Sequence, residues 1–148
     1  QCAFQTTLTF QKIIHFSDWV VGHAHLVMFG VFSFWIIGMV VYLWPKLVGH
    51  AWYSEKLNAW NFWLSLTGVL TMFFDLMVAG LVQGYLWENL APWEASVVAS
   101  MPFWHLRTIA GTMIITGQML QSYNMWMTAR STAPENAPEA PNACFHPG

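Results

Sequence analysis

From Ser17 to Trp44 the chain carries no Lys or Arg, and Asp18 is its only acid. A helix rises about 1.5 Å per residue, so about twenty apolar residues cross a hydrocarbon core of about 30 Å. In that solvent the backbone must satisfy its own hydrogen bonds, which makes a helix the expected conformation here. Inside the stretch lies Trp19-Val20-Val21-Gly22-His23-Ala24-His25-Leu26, with two histidines two residues apart. At about 100° per residue they point about 200° apart, so one helix offers an imidazole to each of two sides. A zinc site would place them at i and i+4, on one face. The spacing predicts two separate ligands, for example one axial bond to each of two flat haems flanking the helix. The plainer alternative is a pair of satisfied polar residues, although ionisable groups inside a membrane are functional candidates by default.

Composition agrees with a membrane setting. The 148 residues are 56% hydrophobic and only 8% charged, against about 25% charged in an average soluble domain. A formal net charge of −2 without a basic patch excludes nucleic-acid binding as a reading. Cys2 and Cys144 stand at opposite ends, outside the apolar spans, with no CxxC and no CxxCH. That leaves no redox motif, no covalent haem attachment and no disulfide framework. No signal peptide is visible and the first residue is Gln1, so the expectation is the C-terminal piece of a longer protein.

In order, residues 1–16 read as the end of a preceding helix and a membrane-surface connection. Residues 17–130 read as a three-helix transmembrane part, and 131–148, rich in Pro, Ala, Glu and Asn, as a disordered tail. The first span, about 17–44, is expected to stop at Pro45, followed by a polar loop with Lys46, Gly49, His50 and Ser54. The second covers about 58–87, with aromatics such as Trp60, Trp63, Tyr85 and Trp87 gathered at its ends as interfacial belts are. A loop over 88–102 holds Pro92 and Pro102, and the third span, about 103–129, ends near Arg130. Lys46, Lys56 and Arg130 then share one side and Lys12 and Arg107 the other, which favours a cytoplasmic tail.

His15 lies eight residues before His23, about 12 Å along a helix axis, and Arg107 opens the third span on the same side. The two form a candidate polar rim that would hold haem propionates by charge-assisted hydrogen bonds. An interfacial histidine and a snorkelling arginine are the alternatives. Asp18, in the same layer, reads first as a helix cap. Asp75, within Phe73-Phe74-Asp75-Leu76, is a mid-span carboxyl, costly when charged and so expected to be neutral or paired with a partner outside this sequence; an interhelical hydrogen bond is preferred to a proton path. Thr108, Thr112 and Thr116 repeat every four residues near Gly111 and Gly117, a pattern read as close helix packing.

These residues resemble a known family. His15-Phe-Ser-Asp-Trp-Val-Val-Gly-His23-Ala-His25-Leu resembles the tenth-helix signature of the haem–copper oxidase superfamily. With Asp18-Trp19, Trp44-Pro45-Lys46-Leu47, Gly84, Leu120 and Tyr123-Asn124-Met125-Trp126-Met127, the chain looks most like the catalytic subunit of cbb3-type cytochrome c oxidases. The resemblance covers nearly everything up to Arg130. It implies an all-α membrane protein whose three transmembrane helices correspond to the last of a twelve-helix bundle. It also implies that His23 ligates a high-spin haem b, His25 a low-spin haem b, and that His15 and Arg107 lie near propionates.

The same resemblance implies a respiratory terminal oxidase. Electrons from cytochrome c would pass through the low-spin haem to a haem–copper centre that reduces dioxygen to water, coupled to proton translocation. Implied partners are the remaining N-terminal part of the catalytic chain, c-type cytochrome subunits, dioxygen and membrane lipid, in the cell inner membrane. The family's second low-spin haem ligand, its three copper-ligating histidines and its cross-linked tyrosine belong to earlier helices. His50, His105 and His146 do not substitute for them, so copper ligands lie outside this sequence and the chain alone is expected to be inactive. The alternatives are the large subunit of a nitric oxide reductase, with iron in place of copper, and a non-catalytic haem-binding membrane module.

Overall fold

The chain begins with two short helices, α1 (Cys2–Gln5) and α2 (Leu8–Ile14). It then reverses through Phe16, whose φ of 62° lies in the left-handed region. The computed structural model describes residues 2–131, and the expected tail at 131–148 lies almost wholly outside them. Ser17 starts the next helix: its hydroxyl accepts from the Trp19 N–H at 3.3 Å and donates to the Ile14 carbonyl at 2.7 Å. Such a cap satisfies a donor that the first helical turn otherwise leaves unpaired.

From there α3 (Asp18–Val27), a π-helical segment (Met28–Ser33) and α4 (Phe34–Val48) form one continuous span of 31 residues. The widened turn is closed by the Ser33 hydroxyl donating to the Met28 carbonyl at 3.0 Å. The expected stop at Pro45 does not occur; the helix runs to Val48 and ends at Gly49, whose φ of 76° suits a residue without Cβ. A proline removes the N–H that would serve the carbonyl four residues back. Here that carbonyl is Val41, and the Trp52 indole N–H reaches it at 3.0 Å. A side chain from the following loop thus replaces the missing backbone donor.

Two long helices complete the fold, α5 (Glu55–Glu88) and α6 (Trp93–Arg130). Residues 93–102 are helical rather than loop, and Pro102 lies within α6. The extra turns are held from α5: Gln83 donates to the Ser100 hydroxyl at 3.0 Å and Trp87 to the Ser96 hydroxyl at 3.1 Å. Asp18–Val48 and Glu55–Glu88 are each apolar enough to cross a membrane. At 38 residues α6 is also long enough, but its buried face is polar, with Ser96, Ser100, Gln121, Asn124 and Thr128. The protein is an all-α membrane protein built on three long helices.

Lipid is as apolar as leucine, so close approach and hydrogen bonds, not hydrophobic contrast, hold such helices together. A Cβ at Gly80 would collide with the Trp19 backbone, and one at Gly84 with the Ile13 carbonyl. The α5–α6 seam is polar at one end. Gln118 donates to Asn61 Oδ1 at 3.2 Å and Ser65 Oγ at 3.0 Å. Asn124 bonds both the N–H and the C=O of Ser54, and Thr128 accepts from the Tyr53 N–H, so α6 side chains fix the residues that lead into α5.

Among the described residues the threonine stripe does not pack against another helix. Thr108, Thr112 and Thr116 are exposed, and each hydroxyl donates to a carbonyl of its own helix at 2.7–2.9 Å. The packing face holds Ala110, Gly117, Gln121 and Asn124 instead.

Candidate functional site: the histidine layer

Gly22 gives the orientation of α3. It is buried, and a Cβ there would meet Leu76 and Met77 of α5 at 2.9 and 2.8 Å. His23 therefore stands about 100° round the helix on one flank of that contact and His25 about 60° round on the other. Both are half-buried. His23 lines a cleft of about 330 Å³ with Cys2, Gln5, Thr6 and Gln11. On the opposite flank the His25 ring packs on Phe29, with centroids 5.5 Å apart.

The chemistry of His25 follows from one bond. Its Nδ1 lies 2.8 Å from the Val21 carbonyl oxygen, which can only accept. Nδ1 therefore carries the proton and Nε2 keeps its lone pair, the tautomer and ring orientation that a metal-ligating imidazole needs. The donor set thus suits axial ligation of haem iron. Beyond it the π segment begins, three residues past His25. Such bulges are frequent at functional sites.

The remaining candidates are placed as follows. His15 is exposed in the turn before α3, its Nδ1 2.9 Å from the amide nitrogen of Gln11. In that arrangement the amide donates, Nδ1 accepts, and the Nε2 proton is left to donate to an anion. Arg107 is half-buried inside α6 rather than at the opening of a span. His105 lies within α6 too, exposed, and His50 follows Gly49; His146 is outside the described residues. No cluster of three or more His, Cys, Asp or Glu able to hold a metal occurs among the described residues.

Asp18 is not the cap, a role Ser17 fills. Its Oδ2 accepts from Gln83 Nε2 at 2.8 Å and from the Trp104 indole at 3.1 Å, while its own N–H donates to Gln83 Oε1 at 2.8 Å. One carboxylate therefore ties α3, α5 and α6 together just above the histidines. Gln83 and Trp104 are missed by sequence reasoning, though an amide within Ala79-Gly80-Leu81-Val82-Gln83-Gly84 is a signal of its own. Asp75 is 5% exposed, and neither carboxyl oxygen has a hydrogen-bond partner. The interhelical hydrogen bond expected of it is not made among the described residues.

The comparisons with known proteins cover the segment in which this layer lies. The family profile of Cytochrome C and Quinol oxidase polypeptide I matches residues 1–113, which include His15, His23, His25 and Arg107. Cytochrome c oxidase subunit 1 of Rhodobacter capsulatus is 30% identical over 125 residues, 79% of this chain and 24% of that protein. A cbb3-type cytochrome c oxidase subunit of Stutzerimonas stutzeri is 28% identical over 134 residues, 85% of this chain and 28% of that protein. A nitric oxide reductase subunit of the same organism is 26% identical over 137 residues, again 85% and 28%. The chain spans about a quarter of the length of these curated relatives. With most of its length matched, and the histidine helix inside the match, the chain belongs to the cytochrome c and quinol oxidase polypeptide I family.

Proposed function

We propose that this chain is the haem-bridging part of a terminal oxidase catalytic subunit, with His23 binding the iron of a high-spin haem b and His25 that of a low-spin haem b. Bound there, the two haems would supply electron transfer from cytochrome c and, with copper held by residues outside this sequence, reduction of dioxygen to water coupled to proton translocation. The carrying observation is the His25 tautomer: Nδ1 is committed to the Val21 carbonyl, so Nε2 is available on one flank while His23 occupies the other. One backbone then fixes the spacing of both ligands. His15 and Arg107 are assigned to propionates, as a hydrogen-bond donor and a fixed cation respectively.

The copper ligands and the second ligand of the low-spin haem come from the rest of the catalytic chain, so this part alone has no oxidase activity. Its partners are that remainder and c-type cytochrome subunits, in the cell inner membrane with residues 131–148 on the cytoplasmic side. Likeness to a nitric oxide reductase supports a second reading, in which iron replaces copper. Reduced-minus-oxidised and carbon-monoxide difference spectra of the native complex, with haem, copper and non-haem iron determined, separate the two. Two b-type haems, one binding carbon monoxide, together with copper are expected. Iron in place of copper moves the assignment to nitric oxide reduction, and absence of haem overturns both.

A further inference from the structure

The contacts between helices define their register. Across α5 and α6, Asn61 meets Gln121, Ser65 meets Gln118 and Gln83 meets Ser100. Continuing that antiparallel register places Asp75 level with Arg107 and Thr108. Across α3 and α5, Gly80 meets Trp19 and Gly22 meets Leu76 and Met77, which places Asp75 level with Ala24, between the two histidines. The buried positions Asn61, Ser65, Gly68, Met72, Asp75, Ala79 and Gln83 form the stripe of α5 turned toward α6. Arg107 falls on the matching stripe of α6, between Ser100 and Ala110.

Four ionisable groups thus share one layer of the bundle: His23, His25, Asp75 and Arg107. We propose that Asp75 and Arg107 form a charge pair across the α5–α6 seam, completed by buried water, and that Asp75 is a positioning residue for the Arg107 guanidinium. Arginine keeps its charge in proteins, so a half-buried guanidinium at this depth requires a counter-charge. Asp75 is the acid at its level, and both its oxygens are buried without a hydrogen-bond partner. Asp18, the acid of the neighbouring layer, is already held by Gln83 and Trp104. The one direct ion pair among the described residues is Lys12–Glu88, so Asp75 and Arg107 do not touch. A buried polar gap of this kind is where a bridging water belongs.

The pairing stands independently of haem; its consequence for propionate binding rests on the function proposed above. The test uses the native complex carrying Asp75→Asn, Arg107→Gln and the double substitution. Removing one member of a buried pair strands the other charge, whereas removing both does not. Each single variant is expected to lower the assembled yield severalfold and the thermal midpoint by several degrees, with the double variant recovering most of both. Losses in the double variant that equal the sum of the singles overturn the pair. Should Asp75→Asn fail to assemble, Asp75→Leu with Arg107→Met carries the same comparison. Infrared difference spectra between wild type and the neutral Asp75 variant should lack a protonated-carboxyl band, and its presence overturns the pair. Haem midpoint potentials are read on the same samples: a shift in Asp75→Asn supports the positioning role, and unchanged potentials overturn that role. Unchanged potentials in Arg107→Gln as well count against Arg107 as a propionate ligand, while coupling in stability keeps the pair.

Discussion

Gln83 is the side chain whose loss should cost most for its size. Its amide makes three interhelical hydrogen bonds, at 2.8 Å from the Asp18 N–H, at 2.8 Å to the Asp18 carboxylate and at 3.0 Å to the Ser100 hydroxyl. Interhelical hydrogen bonds in membranes average about 0.6 kcal/mol and reach about 1.7 kcal/mol. Three average bonds give about 2 kcal/mol, and the one charged acceptor raises this to about 2.5 kcal/mol, since charge-assisted bonds are roughly twice as strong. Gln83→Leu keeps the volume and removes all three, leaving Asp18 with Trp104 as its remaining side-chain partner. Equilibrium unfolding of the complex in mixed micelles should therefore show a loss of about 2–3 kcal/mol, while Val78→Ala at an exposed position stays within about 0.5 kcal/mol of wild type. Gln83→Glu should be worse at neutral pH, because a carboxylate cannot donate to Asp18 and repels it. A Gln83→Leu complex no less stable than the Val78→Ala control would refute the view that this amide ties the three helices together.

Other substitutions test neighbouring parts of the argument. His25→Ala should abolish the low-spin haem spectrum of the native complex while leaving the α3 helix formed, as read by circular dichroism; an intact low-spin spectrum removes His25 from the ligand set. Gly80→Leu forces α3 away from α5, because even a Cβ collides with Trp19; overpacking costs typically about 1–3 kcal/mol, and assembled yield should fall severalfold. Trp52→Phe leaves the Val41 carbonyl unpaired beside Pro45, so amide exchange at the end of α4 should rise while the histidine layer keeps its protection. Lys12 is held above its ordinary pKa of 10.5 by its hydrogen bond and charge contact with Glu88. Stability from that pair is present below the ordinary lysine range and is lost as pH rises through the raised value. Because the pair is exposed, Lys12→Ala should lower the thermal midpoint only slightly near neutrality, and that small difference should vanish above the raised lysine value.

The apolar spans were legible because length and charge depletion decide whether a helix can cross a bilayer, and neither depends on what it packs against. Helix ends were less legible. Pro45 and Pro102 read as boundaries because proline removes a donor, but Trp52 supplies that donor from a later turn and α5 side chains hold the start of α6. The threonine stripe misled for a related reason. Its spacing describes a face, and nothing local says whether that face turns toward α5 or away from it.

The i, i+2 spacing of His23 and His25 determined by itself that the two imidazoles leave one helix on different sides, since helical geometry allows nothing else. Their membrane setting and family signature were also local properties. Tertiary structure decided the rest of the layer. Asp18 met Gln83 and Trp104 only because Gly22, Gly80 and Gly84 let α2 and α3 settle closely against α5, and Asp75 came level with Arg107 only through the contacts along the α5–α6 seam. That register is a property of two surfaces meeting, and residues separated by 65 and 86 positions carry no mark of it until they do.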